Sequence, residues 1–568
     1  MIGPTDILLT VDDLNVHLGD AHVVQGVSFS LHAGGTIAIV GASGSGKTVT
    51  SLALMGLLPR KGSRIEGRAE LQVGEGRVDL LSIGEKALRR LRGPHVAMVF
   101  QEPMTALDPV YTVGEQVAEA IRHHLGIPTK EARERVVRLF QEVRLPDPER
   151  VIDRYPHQLS GGQKQRVVIA LALCCDPGVL ICDEPTTALD VLVQRDILDL
   201  LRTLSLHRRM GMLFITHDLG VVRELADRVL VMHRGHVVEQ GPIQEVFQAP
   251  RHPYTRGLLA CRPVAGDHPR RLPTVEDHLR GRVGPGLMHR VARSEREAHL
   301  EQLMAGAPLL RVDSLDKAYP APGGAFRRKQ PPVHVLHRVS FAVHSGESLG
   351  IVGGSGCGKT TLGRSILQLI HPTSGRVHYG DTELTRLDDR EMRRMRRELQ
   401  LIFQDPYASL NPQLTAGRAI TEAMRVHGIG RNGADRRDRA VRLLEQVGME
   451  ATHADRYPHQ FSGGQRQRVV IARALAVEPR LIVCDESIAA LDVSIQAQVL
   501  NLLNDLKDEH GLTYLFISHD LNVVRYMCDR ILVLEQGRLV ELGPADEVCD
   551  HPKASYTKRL LQAIPGSH

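Results

Sequence analysis

The sequence predicts an α/β protein built from two similar domains, each with a mostly parallel sheet. Long phrases recur 302 residues apart, such as "YPHQLSGGQ" and "YPHQFSGGQ". A repeat of this length indicates a duplicated domain and not a solenoid. Short apolar runs such as "TIAIV" and "SLGIV" lead into glycine-rich loops and helical segments. Other apolar runs, such as "GVLICDE" and "MLFITHD", end in polar residues, as expected where the carboxyl ends of parallel strands line a site.

The repeat divides the chain of 568 residues into three parts. We expect a first domain over residues 1–264, a linker over residues 265–307 and a second domain over residues 308–568. The linker is rich in Arg, His, Gly and Pro, and its pattern predicts one short helix near residues 294–304.

Composition limits the classes of function that fit. The 71 basic and 66 acidic residues are interleaved and leave a net charge of +5, which indicates a solvated mixed-charge surface in preference to a nucleic-acid face. No signal peptide is evident, and no apolar run approaches the roughly 20 residues of a membrane-spanning helix. Any membrane role is therefore expected to come through partner subunits. The eight scattered cysteines are expected to be reduced thiols.

The first chemical signature of each domain is a phosphate loop of the form G-x-x-x-x-G-K-[ST]. Glycines let successive backbone N–H groups converge on phosphate oxygens, and the following helix directs its positive end at the anion. The lysine is expected to reach the β- and γ-phosphates of ATP, and the threonine after it to bind Mg²⁺. The candidate ATP-binding residues are Gly41, Ser43, Gly44, Ser45, Gly46, Lys47, Thr48 and Val49 in the first loop and Gly353, Ser355, Gly356, Cys357, Gly358, Lys359, Thr360 and Thr361 in the second.

Cys357 distinguishes the second phosphate loop from the first. We expect its thiol to be exposed to alkylating reagents when the site is empty and to be protected by bound ATP.

Paired acids follow the next strands in both domains. Asp183-Glu184 and Asp485-Glu486 predict a division of labour in which the Asp supports Mg²⁺ and the Glu activates water. Further polar residues, His217, His519, Gln101 and Gln404, also follow apolar strands. They are candidates for contacting the γ-phosphate, although a satisfied structural histidine or a turn-capping glutamine stays an alternative. The candidate Mg²⁺ ligands are Thr48, Gln101, Asp183, Thr360, Gln404 and Asp485.

With these motifs in order, the chain resembles an ABC-type ATPase with two nucleotide-binding domains, because "LSGGQ" and "FSGGQ" follow the phosphate loops. The resemblance covers nearly everything except the linker. It implies tandem P-loop NTPase domains, each with a RecA-like core and a helical subdomain that carries the signature. It also implies that the two domains stack head to tail with ATP between them.

In that arrangement each signature completes the other domain's site. Ser160 and Ser462 can act as helix N-caps, and a helix N-terminus contributes only about half a positive charge, which is too little to hold ATP alone. The resemblance therefore implies one site that joins the first phosphate loop, Gln101, Asp183, Glu184 and His217 to Ser462, Gly463, Gly464 and Gln465. The other site joins the second loop, Gln404, Asp485, Glu486 and His519 to Ser160, Gly161, Gly162 and Gln163. Asp190 and Asp492 match the D-loop acid of the family.

Two departures from the family pattern separate the domains. Tyr319 in "LDKAYP" matches the aromatic residue that stacks on adenine, whereas the first domain offers only His17-Leu18. Weaker ATP binding is therefore expected at the first site. In the loop after the catalytic Glu, Thr187 keeps a hydroxyl that Ala489 lacks.

The segments around the motifs resemble the dipeptide, oligopeptide and nickel importers, notably "RHPYTRGLLACRPV", "IFQDPYASLNP" and "HPKASYTKRLL". This implies an ATP-hydrolysing subunit, with ATP and Mg²⁺ as cofactors, that powers import of a dipeptide, oligopeptide, glutathione or nickel-type solute. It also implies two integral membrane permease subunits as partners and, through them, a substrate-binding protein. The implied location is peripheral, on the cytoplasmic face of the inner membrane. One chain would supply both ATPase units, and no nucleic acid is expected. Only Cys261 stands where some relatives have a cysteine cluster, so no iron–sulfur centre is expected.

The alternative is a soluble tandem ABC ATPase that acts on ribosomes or nucleic acid. That class usually has a longer, basic, helical linker, whereas the linker here is short and interrupted by Pro and Gly. The "HPYT" tails have no evident use in that class. The sequence leaves the transported solute open.

Overall fold

The computed structural model describes residues 6–101, 103–187, 189–264, 266–284, 289–320, 331–488 and 491–565. The chain divides into two compact units, the first reaching Leu259 and the second covering nearly all of Ala260–Ile564. Within the described ranges, no helix combines the length and the apolar character that crossing a membrane requires.

The first unit alternates strands and helices in the predicted manner. Its strands are β1 (Ile7–Leu18), β2 (Ala21–His32), β3 (Thr36–Val40), β4 (Ser63–Val73), β5 (Gly76–Asp79), β6 (Val96–Val99), β7 (Val179–Asp183), β8 (Gly211–Ile215), β9 (Arg228–His233) and β10 (His236–Pro242). Its helices are α1 (Lys47–Leu54), α2 (Glu85–Leu91), α3 (Pro103–Ala106), α4 (Val113–Leu125), α5 (Thr129–Glu142), α6 (Pro148–Val151), α7 (Gly161–Leu173), α8 (Val191–Arg208), α9 (Leu219–Leu225), α10 (Ile243–Gln248) and α11 (Pro253–Ala260).

Two sheets organise the first unit. The core sheet has the order β10-β9-β3-β8-β7-β6, in which all neighbours are parallel except β9 and β10. Strands β3, β7 and β8 are buried along their whole length, which explains their continuous apolar runs. The second sheet, β2-β1-β4-β5, is antiparallel and was not predicted from the sequence. The mostly parallel core confirms the predicted fold class.

A separate helical region carries the signature helix. Thr112 caps α4 by accepting a hydrogen bond from the Glu115 amide, and the left-handed Gly126 ends the helix. Helices α4, α5 and α7 bury their apolar faces in one hydrophobic cluster, in which Ile121 and Phe140 are fully buried. This region is the helical subdomain that the family resemblance implied.

The second unit repeats the first. Its strands are β11 (Pro308–Tyr319), β12 (Val333–His344), β13 (Ser348–Val352), β14 (Ser374–Tyr379), β15 (Thr382–Glu383), β16 (Leu399–Ile402), β17 (Leu481–Asp485), β18 (Thr513–Ile517), β19 (Arg530–Glu535) and β20 (Arg538–Pro544). Its helices are α14 (Lys359–Ile366), α15 (Asp389–Met395), α16 (Ala416–Val426), α17 (Gly433–Gln446), α18 (Gly463–Leu475), α19 (Val493–His510), α20 (Leu521–Met527), α21 (Ala545–Asp550) and α22 (Ser555–Gln562). The sheet orders are β12-β11-β14-β15 and β16-β17-β18-β13-β19-β20.

The segment between the repeats packs against the second unit. Its described residues form the helices α12 (Val275–Leu279) and α13 (Arg293–Met304), and the latter confirms the helix predicted near residues 294–304. The backbone of Leu272 pairs with the side-chain amide of Asn501 on α19, with hydrogen bonds of 2.9 and 2.8 Å. His268 and Arg296 both contact the carboxylate of Asp546 on α21. The segment is thus fixed to the second unit at several points.

Candidate ATP-binding sites

Each phosphate loop is folded around its lysine. Lys47 Nζ donates to the carbonyl oxygens of Gly41 at 2.8 Å and Ala42 at 3.0 Å. Lys359 Nζ makes the same contacts with Gly353 and Gly354, at the same two distances. The first glycine is obligatory, because a Cβ on Gly41 would lie 2.2 Å from the Met232 carbonyl oxygen.

The other loop residues divide by exposure. Gly46 (φ 101°) and Gly358 (φ 103°) precede α1 and α14 in the left-handed conformation. Exposed residues at the loop tips are Ser43, Gly44, Ser355 and Gly356, whereas Val49 and Thr361 are half-buried on the following helices. The loop tips therefore face solvent, from which a phosphate group would approach.

Cys357 departs from the expectation that its thiol faces solvent. It is 7% exposed and packs in the hydrophobic cluster of the second unit. A Cβ added to Gly353 would lie 2.7 Å from its Sγ, so the side chain points beneath the loop. Ser45 is equally covered in the first loop, at 1% exposure. The expected exposure of this thiol was therefore wrong, because this loop position faces the domain interior.

A hydroxyl and a carboxylate meet at the end of the core sheet in both units. Thr48 Oγ1 donates to Asp183 Oδ1 at 3.2 Å, and Thr360 Oγ1 donates to Asp485 Oδ1 at 2.9 Å. Burial raises the pKa of Asp183 to about 6 and also raises the pKa of Asp485. Oxygen ligands of this kind suit Mg²⁺, which takes one or two carboxylates beside phosphate oxygens. The residues present therefore fit a magnesium ion.

The predicted glutamine and histidine of each unit contact the second acid of its pair, the glutamate. Gln101 Nε2 donates to Glu184 Oε2 at 3.3 Å, and Gln404 Nε2 donates to Glu486 Oε2 at 2.7 Å. His217 Nδ1 lies 3.1 Å from Glu184 Oε1, whereas His519 Nδ1 lies 3.8 Å from Glu486 Oε1. The structure thus brings each predicted Gln, Glu and His together within its own unit.

Both glutamates are favoured in the ionised form. Burial acts to raise the pKa of Glu184, but its hydrogen bond with His217 and the histidine's charge outweigh burial and lower that pKa. The adjacent His519 lowers the pKa of Glu486 in spite of burial. Burial acts to lower the pKa of His519, but Glu486 outweighs burial and raises it. Ionised carboxylates are the state that can accept a proton from water.

The loops after the glutamates differ between the units as far as they are described. Thr187 Oγ1 donates to Glu184 Oε2 at 2.9 Å, which gives the first unit a further contact. Ala489, at the equivalent position, lies outside the described residues.

Each signature serine caps its helix, as predicted. Ser160 Oγ accepts from the Gln163 amide at 3.3 Å, and Gln163 Oε1 accepts from the Ser160 amide at 3.1 Å. Ser462 and Gln465 form the same capping box at the same distances. Both serines and the first glycine of each signature, Gly161 and Gly463, are exposed.

The two glycines of each signature face different surroundings. A Cβ on Gly162 would lie 2.6 Å from Val193 Cγ1, and one on Gly464 would lie 2.5 Å from Ile495 Cγ2. The first glycines have ordinary room, since a Cβ on Gly161 or Gly463 would meet its nearest neighbour at 3.8 or 3.9 Å. Only the second glycine of each pair is therefore required by the packing of its own unit.

The D-loop acids lie at the starts of long helices. Asp190 Oδ1 accepts from the Val193 amide at 3.1 Å and caps α8. Asp492 directly precedes α19.

The adenine-binding candidates differ as the sequence indicated. Tyr319 ends β11, is 36% exposed, and has Lys317 Nζ 5.0 Å from its ring centroid. At the matching end of β1, the ring of His17 stacks on that of His22 at 3.9 Å, and Leu18 packs against the hydrophobic cluster of the first unit. In the second unit, the end of β11 therefore presents the exposed aromatic ring of Tyr319.

Sequence reasoning missed one pair of residues that contact the phosphate loops. The hydroxyl of Tyr254 accepts a hydrogen bond from the Ala42 amide, and that of Tyr556 accepts one from the Gly354 amide. The signal was present, because "HPYT" and "ASYT" place the two tyrosines at the same spacing as the signatures.

Family models match this chain in both repeats. The model described as ABC transporter matches residues 24–187 and 336–489, more than half of the chain. The chain belongs to the ABC transporter family. A second model, described as the C-terminal region of oligopeptide/dipeptide transporters, matches residues 238–283 and 540–568, which include both tyrosines. This ABC protein is therefore an ATP-hydrolysing enzyme with tandem P-loop NTPase domains, as the resemblance predicted.

Curated relatives match over nearly the full length. The glutathione import ATP-binding protein GsiA of Escherichia coli (strain K12) is 46% identical over 98% of this chain and 89% of its own. The protein of the same name from Pectobacterium atrosepticum is 46% identical over 95% of this chain and 86% of its own. These relatives belong to importers and give no support to the ribosome or nucleic-acid alternative.

Solved cassettes align with less than half of the chain. The ATP-binding cassette MJ0796, in a dimeric post-hydrolysis state bound to ADP and phosphate, is 32% identical, covers 42% of this chain and 98% of its own, and gives a TM-score of 0.38. The cassette cbiO1 of Clostridium perfringens, part of the transporter complex cbiONQ, is 26% identical, covers 43% of this chain and 92% of its own, and gives a TM-score of 0.38.

Proposed function

We propose that this ABC ATPase powers the import of a small peptide, with glutathione the first candidate, through two integral membrane permease subunits. The observation that carries the proposal is the match to glutathione import proteins over 98% of the chain, with an oligopeptide-transporter C-terminal region in each repeat. The chain would act as a peripheral protein on the cytoplasmic face of the inner membrane, and a substrate-binding protein would deliver the solute.

The residues gathered in each unit divide the work of hydrolysis. The loop amides and Lys47 bind the phosphates of ATP, and Thr48 and Asp183 hold Mg²⁺. The ion, when bound, offsets the negative charge that develops on the phosphoryl oxygens. Glu184 accepts a proton from the attacking water, while Gln101 and His217 hold its carboxylate in place. Lys359, Thr360, Asp485, Glu486, Gln404 and His519 take the same roles at the second site.

Each signature closes over the nucleotide of the other unit. The capped N-termini of α7 and α18 present exposed serine and glycine residues with a partial positive charge. The room around Gly161 and Gly463 supports this proposal, because nothing within either unit requires a glycine there. Close approach of an external phosphate group would require one. The D-loop acids and Tyr319 complete the sites, the latter by stacking on adenine.

Transport measurements test the proposed function. The chain should co-purify with integral membrane proteins, and cells should need it to take up labelled glutathione or a dipeptide. A chain with Glu184→Gln and Glu486→Gln should still co-purify but should support no uptake. Co-purification with ribosomes, or uptake unaffected by loss of the chain, would refute the proposal.

A further inference from the structure

The C-terminal region of each unit places a tyrosine hydroxyl on the phosphate loop of the same unit. The Tyr254 hydroxyl accepts from the Ala42 amide at 2.9 Å, and the Tyr556 hydroxyl accepts from the Gly354 amide at 2.8 Å. The two tyrosines are 2% and 6% exposed. The same contact occurs at matching positions of both repeats, although the residues on the loop differ.

The loop residue that each tyrosine contacts is also held by the phosphate lysine. The carbonyl oxygen of Ala42 accepts from Lys47 Nζ at 3.0 Å, and that of Gly354 accepts from Lys359 Nζ at 3.0 Å. The second residue of each loop therefore lies between the C-terminal region and the side chain that binds phosphate. A displacement of the tyrosine would change both the loop and its lysine.

A carboxylate anchors each C-terminal region to the core sheet. Glu239 on β10 accepts from the amides of Arg251 at 2.8 Å and His252 at 3.1 Å. Glu541 on β20 accepts from the amides of Lys553 and Ala554 at the same distances. These bonds fix the turns that lead into α11 and α22, the helices that carry the two tyrosines.

The two units hold the tyrosine ring in different ways. His233 stacks on Tyr254 with ring centroids 4.1 Å apart. In the second unit the guanidinium carbon of Arg559 lies 5.5 Å from the Tyr556 ring centroid, and Arg559 pairs with Glu535, the counterpart of His233. The ring supports have diverged, whereas the hydroxyl contact with the loop is present in both.

We propose that Tyr254 and Tyr556 are positioning residues that couple the C-terminal region of each unit to ATP binding in its own phosphate loop. The hydroxyl holds the loop in the form that receives phosphate, and bound ATP steadies the C-terminal region in return, because coupling between two sites is reciprocal. This inference goes beyond the proposed transport function, since it requires neither a solute nor a permease.

Removal of the hydroxyl alone tests the coupling. Tyr254→Phe and Tyr556→Phe keep the ring and lose one neutral hydrogen bond, so each should weaken ATP binding at its own site by about 2- to 10-fold. The affinity is measured by titrating the full chain with a fluorescent ATP analogue. Tyr254→Phe is measured in a chain that also carries Lys359→Ala, which removes ATP binding at the second site. Tyr556→Phe is measured in a chain that also carries Lys47→Ala, which removes ATP binding at the first site. In chains with both lysines intact, KM for ATP should rise while kcat at saturating ATP changes less.

A matched variant separates positioning from general stability. Tyr514→Phe removes a buried hydroxyl that donates to the Leu503 carbonyl at 3.0 Å. Tyr514 lies near the start of β18, at the end of the core sheet away from the phosphate loop. It should lower the melting temperature as Tyr556→Phe does but leave ATP affinity unchanged. Equal ATP affinities for Tyr556→Phe, Tyr514→Phe and the unmodified chain would overturn the proposal.

Hydrogen exchange supplies a second readout, which a merely structural role would not affect. Addition of ATP should protect backbone amides of α11 and α22 in the unmodified chain, and the protection should be lost at the unit that carries the Phe variant. ATP-independent exchange of both helices in the unmodified chain would also overturn the proposal.

Discussion

At the residue scale, the two candidate catalytic glutamates share an unusual backbone conformation. Glu184 and Glu486 have φ values of 47° and 46°, a left-handed conformation that costs a non-glycine residue about 1–3 kcal/mol. Each amide donates to the last residue of the neighbouring strand, Ile215 at 2.9 Å or Ile517 at 3.0 Å. The strained backbone aims each carboxylate at the glutamine and histidine of its unit.

Replacing these glutamates by glutamine tests their role as bases. Glu184→Gln and Glu486→Gln should each lower turnover, and the double variant should lose about 10²- to 10⁴-fold of the ATPase rate, because a general base contributes this much. Phosphate release at saturating ATP measures the effect. Glu509→Gln, at an exposed position on α19, serves as the control and should retain full activity. A fully active double variant would show that neither glutamate acts as the base.

The proposed stacking of Tyr319 on adenine gives a second test at the residue scale. Tyr319→Ala should weaken ATP binding at the second site by about 1–3 kcal/mol, the usual contribution of a base stacked on an aromatic ring. Tyr319→Phe keeps the ring and should bind normally. Both are measured with the fluorescent ATP analogue in chains that also carry Lys47→Ala. Unchanged affinity in Tyr319→Ala would mean that adenine lies elsewhere.

At the element scale, the two glycines of each signature are expected to be needed for different reasons. One is needed for packing within its own unit, and the other for contact with the other unit's nucleotide. Gly464→Ala should disturb the contact of α18 with α19, because the added Cβ meets Ile495 at 2.5 Å, and should cost about 1–3 kcal/mol of stability. Gly463→Ala should leave the melting temperature unchanged yet lower ATPase activity, since its Cβ has room within the unit. The two variants are compared by thermal unfolding and phosphate release. Full activity in Gly463→Ala would argue against a role for this glycine at the other unit's nucleotide.

A buried group of charges is one of the contacts that fix the linker to the second unit. Asp546 lies within 3.1 Å of His268, Arg296 and Arg525. Burial acts to raise the pKa of Asp546, but these neighbours outweigh burial and hold the pKa well below its usual 3.8. The first unit has Gln244 at this position, so this anchor is specific to the second unit.

Asp546→Asn tests the anchor. Because the folded pKa is depressed, the carboxylate contributes stability above about pH 4 that is lost as pH falls through the folded pKa. At pH 7 the free energy of unfolding of the variant should be about 3 kcal/mol lower. This is the lower end of the range for breaking a buried ion pair, since the Asp546 side chain is 12% exposed. Limited proteolysis of residues 266–304 and urea unfolding measure the loss. Asp505→Asn breaks the exposed pair with Arg271 and should cost less than about 1 kcal/mol. Equal losses would contradict the anchor.

The sequence predicted the elements whose signal is local. Repeats, glycine-rich loops and apolar strands with polar ends were sufficient for the parallel core, and the family resemblance implied the grouping of Gln101, Glu184 and His217. The antiparallel sheet was missed because its long strands alternate weakly and carry no motif. The burial of Cys357 and the contact of Tyr254 with Ala42 depend on side-chain direction and on residues 212 positions apart, which sequence spacing does not reveal.

At the scale of the whole molecule, the central claim is that each repeat closes the ATP site of the other. Each unit alone holds a phosphate loop, a hydroxyl–carboxylate pair that fits Mg²⁺ and a candidate base, yet its capped signature helix contributes only a weak positive end. On this claim, duplication in one chain would supply both partners of the pair at a fixed one-to-one ratio. Closure on ATP and reopening after hydrolysis would be the two states that drive the permease.

Cysteine cross-linking tests this claim most directly. Ser43 on the first phosphate loop and Ser462 on the second signature are both exposed, as is Ser160 on the first signature. In a chain carrying Glu184→Gln and Glu486→Gln, ATP should allow a short cross-linker to join Ser43→Cys to Ser462→Cys, but not Ser43→Cys to Ser160→Cys. ATP-dependent joining of the second pair, with none in the first, would contradict the account.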